Sequence, residues 1–434
     1  MLSRRFSKGL VTRRQFLAAG AGAALGPVLL ANRTDAAAGS TGKISIEQAF
    51  GREMRQFMAE RRIPGGALAV VKDQRLVFRH GYGWADREQK QPVKPDSLFR
   101  IASLSKPFTA LAILKLVESG KLDINASAIA AAGFEASAAG AKPPDPRLNS
   151  ITVRHCLHHT AGWDREAGGD PMFRSVEIAK AMGVPAPAKP ETIIRYMLGQ
   201  RLDFDPGSRF AYSNFGYCLL GRVIEKSSGL AYPDFVRRSA LLPMGIRTMR
   251  LGASLERDRC DKEVRYYTVE DRRGPSVFAN CPGEVPEPYG TFCLEAMDSH
   301  GGWLASAIDL ARFAAVLDAP EPNTCLKAET LKLLYEPPAP PVSRNPDGSP
   351  AAAYYACGWN VRPKRNGTAN YWHNGSLPGT ASLLIRRFDG LSWVALFNQR
   401  SEQSKLPDSA IDGALHRAAD SVAEWPDTNL FNTL

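Results

Sequence analysis

The feature of this sequence that most limits its possible folds is the position of the strand patterns, which lie at the two ends of the chain. Short runs rich in β-branched and aromatic residues occur at 67–71 and 76–80, whereas 121–320 has the character of helix and loop. Strand character then returns, and Asp389-Gly390 between its last two runs is a strong hairpin signal. These later runs are 354–361, 371–373, 381–388 and 391–398.

This distribution predicts an α+β fold of the α/β sandwich type. One antiparallel sheet is built from both ends of the chain and flanked by helices, and a mostly helical region is inserted into it. The chain has 434 residues, 44% of them hydrophobic, which is enough for a large buried core and excludes overall disorder. We expect one domain over 44–420, with its sheet part at about 44–103 and 350–424 and its insert at about 104–345. Helical patterns are predicted at 44–61, 107–119, 215–226 and 409–424.

The N-terminal 38 residues are predicted to be an export signal. Thr12-Arg13-Arg14-Gln15-Phe16-Leu17 resembles the twin-arginine consensus, and an uncharged, Ala/Gly-rich run follows to residue 31. That run suits a signal better than a membrane span, and Ala36-Ala37-Ala38 offers small residues for cleavage. We therefore expect a periplasmic or secreted protein; a basic tail or a short anchor is the alternative.

The charge balance argues against a nucleic-acid partner. Lys and Arg number 55 and Asp and Glu 44, a net charge of +11. The first 38 residues hold six basic residues and one acidic residue, so the remainder carries a net charge of +6. Its basic residues are dispersed among acidic ones, without the basic stripe that nucleic-acid binding needs.

The seven cysteines show no CxxC pair and no zinc-ligand spacing. Cys156 and Cys218 lie in apolar runs and are predicted to be buried thiols. In an exported protein some of the others could form disulfides. Those in loop-like sequence are Cys260, Cys281, Cys293, Cys325 and Cys357.

Several familiar catalytic patterns are absent from the sequence. It contains no serine in G-x-S-x-G and no HExxH, Walker A or GxGxxG motif. His155, His158 and His159 have a spacing that could hold a metal on a helix, but no carboxylate motif accompanies them and Gly162 ends the helix. A structural turn is the preferred interpretation, and we predict neither a metal nor a cofactor.

Ser103-Leu-Ser-Lys106 is the first candidate for chemistry, at a predicted junction between strand and helix. The i, i+3 spacing places both side chains on one helical face. A serine hydroxyl is a weak nucleophile until a neighbouring base takes its proton, and a desolvated lysine can act as that base. S-x-x-K alone is a weak signal, because Ser40-Thr-Gly-Lys43 also matches it and an ordinary helix cap would explain it.

Two further motifs strengthen this interpretation. Tyr212-Ser213-Asn214 is the single Y-x-N among twelve tyrosines, and it opens an apolar helix. Tyr212 could relay protons and Asn214 could hold a substrate carbonyl. His373-Asn374-Gly375-Ser376 lies on a predicted strand, where Gly375 could let a ligand approach the backbone and the imidazole could bond to that ligand. Taken singly, each motif is also explained by ordinary packing or capping.

In this order the three motifs resemble the active site of serine β-lactamases and penicillin-binding proteins, which have S-x-x-K, Y-x-N and then K-T-G or H-x-G. Three more segments resemble the family, and the similarity runs from about residue 50 to 416. They are 154–162, which is similar to the LLxHTSG turn, the lead-in 204–217, and 301–310, which is similar to GGLxST…DL.

The resemblance implies a role for each matching residue. Ser103 is the acyl-accepting nucleophile, Lys106 its base and Tyr212 a partner in proton transfer. Asn214 orients the substrate carbonyl, and the backbone N–H groups of Ser103 and Ser376 form an oxyanion hole. His373 and Gly375 belong to the substrate-binding strand.

The third motif departs from the β-lactamase pattern, since His373 replaces the lysine that attracts a substrate carboxylate. An unperturbed histidine is mostly neutral at pH 7. H-x-G is similar to the motif of carboxylesterases and D-aminopeptidases of this superfamily, and the absence of a further glutamate base favours a class C-like template. We expect an exported serine hydrolase, carboxylesterase-like, acting on a small ester, amide or peptide. The alternatives are a D-aminopeptidase or DD-carboxypeptidase, a weak β-lactamase, or a non-catalytic binding protein of the same fold.

We expect the inserted segments 163–190 and 260–300 to form the rim of the site. Their aromatic residues suit either an apolar acyl group or ordinary loop packing, and the sequence leaves both open. These residues are Trp163, Tyr266, Tyr267 and Tyr289.

Overall fold

The computed structural model describes residues 44–135, 144–319, 325–340, 342–345, 347–349, 351–402 and 405–433. The predicted export signal, 1–38, lies outside these residues. The helices are α1 Arg52–Arg61, α2 Lys106–Glu118, α3 Ala128–Ala131, α4 Val153–Leu157, α5 Arg165–Gly168, α6 Ser175–Ala181, α7 Pro190–Leu198, α8 Asn214–Ser228, α9 Tyr232–Val236, α10 Ala307–Leu317, α11 Ala328–Tyr335 and α12 Ala410–Ser421. The strands are β1 Gly65–Lys72, β2 Arg75–Asp86, β3 Gln91–Pro92, β4 Phe99–Arg100, β5 Arg250–Leu251, β6 Arg273–Pro275, β7 Glu284–Pro286, β8 Trp303–Ala305, β9 Tyr354–Tyr355, β10 Asn360–Pro363, β11 Ala369–Leu377, β12 Thr380–Arg386 and β13 Leu391–Phe397.

The main sheet joins the two ends of the chain, as predicted. Its eight strands have the order β3-β2-β1-β13-β12-β11-β10-β9, and every neighbouring pair is antiparallel. β1 pairs with β13 from Gly66 opposite Phe397 to Lys72 opposite Leu391. The predicted α+β class is therefore confirmed, with helices on both faces of the sheet.

The alternation of side chains along β1 explains the two helical layers. Ala67, Ala69 and Val71 face the core that contains α2, α8 and α10. Leu68 and Val70 face the opposite core, which contains α1 and α12. Because both faces are covered, β1 is buried over nearly its whole length and reads as a continuous apolar run.

Helix α2 is the central helix of the larger core. Ten of its thirteen residues are buried, and its hydrophobic residues lie on all sides. Lys106 is the first residue of α2, and its ionisable amine is therefore at the end of a helix that protein surrounds. Position 106 is thereby removed from water.

Two predicted elements differ in detail from the structure. The predicted strand 354–361 is divided into β9 and β10 around Gly358, which has φ +76°. A Cβ at Gly358 would come within 3.0 Å of the Lys106 carbonyl oxygen, so the chain bends where it passes the start of α2. The predicted helix 44–61 is α-helical only from Arg52, after a π-helical turn, Glu47–Gly51.

No disulfide joins the seven cysteines, all of which lie in the described part of the chain. The pairing that the sequence allowed for is therefore absent. Cys156 and Cys218 are buried, as predicted, but Cys293, Cys325 and Cys357 are buried too, although their sequence looks like loop. The Cys357 Sγ lies 3.5 Å from His158 Nε2 and 3.4 Å from the Leu333 carbonyl oxygen.

Within the described ranges, no helix combines the length and the apolar character that crossing a membrane requires.

Candidate active site

Ser103 lies in a 3₁₀ turn, Ala102–Ser105, that links β4 to α2. Ala102 has φ +48°, a left-handed conformation that costs a non-glycine residue about 1–3 kcal/mol. Two hydrogen bonds to the backbone of Ile101 hold this turn. The Ile101 N–H donates to the Trp303 carbonyl over 3.0 Å, and the Ile101 carbonyl accepts from the Ser382 hydroxyl over 2.8 Å. The strained turn leaves Ser103 half-buried, with its hydroxyl beside Lys106.

Lys106 is fully buried and has three polar neighbours. Its Nζ lies 3.1 Å from Ser103 Oγ, 2.7 Å from Asn214 Oδ1 and 3.0 Å from the His300 carbonyl oxygen. Burial holds the pKa of this amine well below its usual value; the negative charge of Asp170 opposes that shift. The amine can therefore lose its proton far more readily than an exposed lysine.

The neighbours of Lys106 also set the direction of its lone pair. The Asn214 Oδ1 and the His300 carbonyl oxygen can only accept hydrogen bonds. A neutral amine has two N–H groups, which these two acceptors take, so its lone pair is directed at the Ser103 hydroxyl. This is the geometry that a base needs to remove the serine proton.

Tyr212 closes the site beside Ser103. Its hydroxyl hydrogen-bonds to Ser103, and burial raises its pKa, so the phenol stays protonated at neutral pH. The Lys106 Nζ and the guanidinium carbon of Arg165 each lie 4.8 Å from the centre of its ring. A neutral hydroxyl that touches the serine can accept and return a proton.

The third predicted motif lies entirely on β11, but its imidazole does not face solvent. His373 is 1% exposed; its Nδ1–H donates to the Asn374 carbonyl over 2.7 Å, and its Nε2 accepts from the Tyr355 hydroxyl over 2.9 Å. Burial lowers the pKa of His373 to about 3, with the nearby Lys106 contributing. The ring is therefore neutral, and both of its nitrogens are bonded within the protein.

Gly375 lacks a side chain and so leaves space for the backbone of the neighbouring 101–103 turn. A Cβ there would come within 2.2 Å of the Ile101 carbonyl oxygen, 2.4 Å of Ser382 Oγ and 3.0 Å of the Ser103 backbone nitrogen. The sequence predicted that this glycine admits a ligand to the backbone, whereas here it admits the 101–103 turn. This close approach brings β11, with the exposed Ser376, next to Ser103.

The histidines of the 155–159 segment have separate structural partners. His155 forms a capping box with Thr152, His158 contacts Cys357, and the His159 Nδ1 accepts from the Ser213 N–H over 3.2 Å. No group of His, Cys, Asp and Glu side chains is arranged to hold a metal ion in the ranges that the structure covers.

The buried histidines predict a steep loss of stability in acid. Burial holds the pKa of His158, His159, His300 and His373 far below 6.5, to about 3 for His158 and His373. Unfolding exposes them, so below about pH 6.5 the unfolded state binds more protons and the fold loses stability as the pH falls. Four protons correspond to about 5 kcal/mol per pH unit, and Asp408, whose pKa burial raises to about 6, offsets about one of them below that pH. Urea unfolding across this pH range measures the slope.

One histidine variant calibrates this slope. His158→Gln removes one buried imidazole and should reduce the slope by about 1.4 kcal/mol per pH unit. A slope near zero in the unaltered protein would contradict the prediction.

The aromatic residues expected at the rim pack inside the protein instead. Trp163, Tyr266, Tyr267 and Tyr289 are at most 6% exposed. Trp163 packs edge-on against Phe215. Of the two interpretations left open by the sequence, the structure shows ordinary packing.

Three residues near the site were not identified from the sequence. Arg165 and Asp170 lie in the expected rim segment 163–190, and Asp170 accepts a 2.6 Å bond from Asn214 Nδ2. The Tyr355 hydroxyl forms a hydrogen bond with His373 Nε2. Asp170 precedes a proline as many helix caps do, and Tyr355 lies on a short strand. Neither has a sequence pattern that separates a functional residue from a structural one.

Comparison with known proteins identifies relatives by sequence. Penicillin-binding protein 4* of Bacillus subtilis (strain 168) is 27% identical over 364 residues, which cover 83% of this chain and 74% of that protein. Esterase EstB of Burkholderia gladioli is 31% identical over 196 residues, which cover 44% of this chain and 48% of the esterase.

A solved structure shares the fold. The D-amino acid amidase from Ochrobactrum anthropi SV3, complexed with L-phenylalanine amide, superposes with a TM-score of 0.65 at 20% identity and covers 87% of this chain and 98% of its own. The model of the Beta-lactamase family matches residues 50–416. With most of its length matched by that model, the chain belongs to the Beta-lactamase family.

Proposed function

We propose that the protein is a serine hydrolase that cleaves small esters through an acyl-enzyme on Ser103, in the manner of a carboxylesterase. The observation that carries this proposal is the buried Lys106. Its Nζ lies 3.1 Å from Ser103 Oγ, and two carbonyl acceptors fix its N–H groups. Membership of the Beta-lactamase family supports a hydrolase.

In the proposed acylation step, Ser103 Oγ bonds to the acyl carbon while its proton passes to Lys106 Nζ. The backbone N–H groups of Ser103 and Ser376 would hold the developing oxyanion, where one donor typically contributes about 3 kcal/mol. Asn214 bonds to Asp170 with one N–H, so the second can donate to the substrate carbonyl. The C–O bond of the ester then breaks, and the leaving alcohol receives the proton through Tyr212.

Deacylation reverses these proton transfers. Water gives a proton to the Lys106–Tyr212 pair as its oxygen bonds to the acyl carbon. The bond between Ser103 Oγ and the acyl carbon then breaks, and the serine recovers its proton. The products are a carboxylic acid and the free enzyme, with no external oxidant or cofactor in the balance.

The neutral His373 favours an ester over a β-lactam. A buried imidazole with its pKa lowered to about 3 offers no fixed positive charge to a substrate carboxylate. Esterase EstB, which is similar to this chain in sequence, is named as an esterase. We therefore place β-lactam hydrolysis among the minor activities.

A second candidate is hydrolysis of a D-amino-acid peptide or amide. The observation that favours it is Arg165, whose guanidinium carbon lies 4.8 Å from the centre of the Tyr212 ring. Because Tyr212 hands the proton to the leaving group, Arg165 would lie on the leaving-group side. A carboxylate there could bind to it.

A parallel turnover assay distinguishes these candidates. The panel contains a nitrophenyl ester, a D-Ala-containing peptide, the amide of a D-amino acid and a chromogenic cephalosporin. We expect the largest kcat/KM with the ester, together with an acyl mass shift on the peptide that contains Ser103. Fastest turnover of the peptide or the amide would select the second candidate. Tight binding without any acylation would instead indicate a non-catalytic binding protein.

We also propose export through the twin-arginine-type segment 1–38, followed by one catalytic domain over 44–420. The pattern around Arg13 and Arg14 supports export. N-terminal sequencing of the protein recovered from the host periplasm should find a start near residue 38, and replacing both arginines by lysine should keep the protein in the cytoplasm.

A further inference from the structure

Asp170 connects the rim of the site to its centre. Its Oδ1 accepts the Met172 N–H over 3.0 Å and caps the 3₁₀ turn Pro171–Phe173. Its Oδ2 accepts from Asn214 Nδ2 over 2.6 Å. One carboxylate therefore caps this turn and also fixes a side chain that contacts Lys106.

The bond from Asp170 decides which way the Asn214 amide points. A carboxylate only accepts hydrogen bonds, so the NH₂ end of the amide must face it. The other end, Oδ1, then faces Lys106 Nζ at 2.7 Å. With the amide turned over, its NH₂ group would face Lys106 instead and its oxygen would meet the carboxylate of Asp170.

We propose that Asp170 is a positioning residue that fixes the Asn214 amide and thereby directs the Lys106 lone pair at Ser103. With Oδ1 towards Lys106, Asn214 and His300 take both N–H groups of the neutral amine. A reversed amide would donate an N–H to the lone pair of Lys106, leaving an amine N–H to point at Ser103, where it cannot remove a proton. The inference rests on the proposed function, because it assigns Asp170 a part in activating Ser103.

The charge of Asp170 has a second effect. Two charged groups influence Lys106: Asp170, which raises its pKa, and Arg165, which lowers it together with burial. The other titratable groups around the amine are neutral, and they are the phenols of Tyr212 and Tyr217 and the imidazoles of His159, His300 and His373. Removal of the Asp170 charge should therefore lower the pKa of Lys106 further.

Asp170→Asn tests the proposal with a side chain of the same shape that can still cap the turn. The matched control is Asp145→Asn, because Asp145-Pro146 caps the 3₁₀ helix Pro146–Ser150 in the same way. Asp145 bonds to Arg147 and Leu202. If capping alone mattered, the two variants would behave alike.

The first measurement is the titration of Lys106, which needs no turnover. Lysine labelled with ¹³C at Cε is followed by NMR, and the Lys106 signal is assigned by its loss in Lys106→Met. We expect Lys106 to titrate at lower pH in Asp170→Asn than in the unaltered protein, and at the unaltered pH in Asp145→Asn. The same titration in Asp170→Asn and the unaltered protein would overturn the proposal.

The second measurement is the rate at which a fluorophosphonate labels Ser103. We expect this rate to fall about 100-fold in Asp170→Asn, the size of effect that misplacing a catalytic group by about 1 Å produces. Asp145→Asn should keep the unaltered rate, even if its melting temperature falls. Labelling of Asp170→Asn at the unaltered rate would overturn the proposal. Absent labelling of the unaltered protein would instead contradict the proposed function, and the Lys106 titration would still decide the role of Asp170.

Discussion

Ser103→Ala is expected to lower the turnover of the nitrophenyl ester by about 10⁶-fold, the loss that follows removal of the nucleophile from a serine hydrolase. The variant keeps the 3₁₀ turn and loses one oxygen atom, so little else in the site changes. Without Oγ no acyl-enzyme can form, and neither the acyl mass shift nor fluorophosphonate labelling should occur. Intact-protein mass spectrometry and steady-state kinetics measure these effects.

The matched control for this variant is Ser105→Ala, two residues further along the same turn. The Ser105 hydroxyl accepts the Trp303 N–H over 3.3 Å and forms no bond to Lys106. The control should lose some stability but should still be labelled by the probe. Equal labelling of Ser103→Ala and the unaltered protein would place the nucleophile elsewhere in the chain.

Lys106→Met is expected to reduce kcat/KM by about 10²- to 10⁴-fold, the usual contribution of a general base. Methionine has nearly the length of lysine but no amine, so the proton of Ser103 has no acceptor at this position. The activity of the unaltered protein should rise with pH as Lys106 loses its proton, and this rise should be absent from the variant. The pH dependence of kcat/KM is the measurement.

A second substitution and a control make the result specific to proton transfer. Lys106→Arg keeps a positive charge that cannot be given up, so it should be as inactive as Lys106→Met. Lys115→Met changes a lysine on the same helix, α2, that pairs with Glu118 over 3.4 Å. We expect it to keep full activity. Substantial activity in Lys106→Arg would exclude lysine as the base.

Most strands of the main sheet and four helices, α1, α2, α8 and α12, could be predicted from the sequence because their apolar pattern is regular. The strands of the main sheet alternate or are continuously apolar, and Asp389-Gly390 marks the hairpin between β12 and β13. The break at Gly358 was missed. Its cause is the close passage of the start of α2, and local sequence carries no information about a contact that spans about 250 residues.

The candidate site could be predicted as a set of residues but not as an arrangement. Motif identity pointed to Ser103, Lys106 and Tyr212, and the fold brings these side chains into contact. The function of Asp170 could not be predicted, because the fold alone brings its carboxylate to the Asn214 amide, 44 residues away.

The sequence was sufficient to predict most strands of the main sheet and the side chains that can carry chemistry, because both follow from local periodicity and from the functional groups. The protonation of Lys106, in contrast, depends on the folded chain. Its acceptors come from residues 108 and 194 positions away, and the surrounding core removes its water. The pKa of an amine and the direction of its lone pair depend on the groups that surround it in space, and only folding brings those groups together.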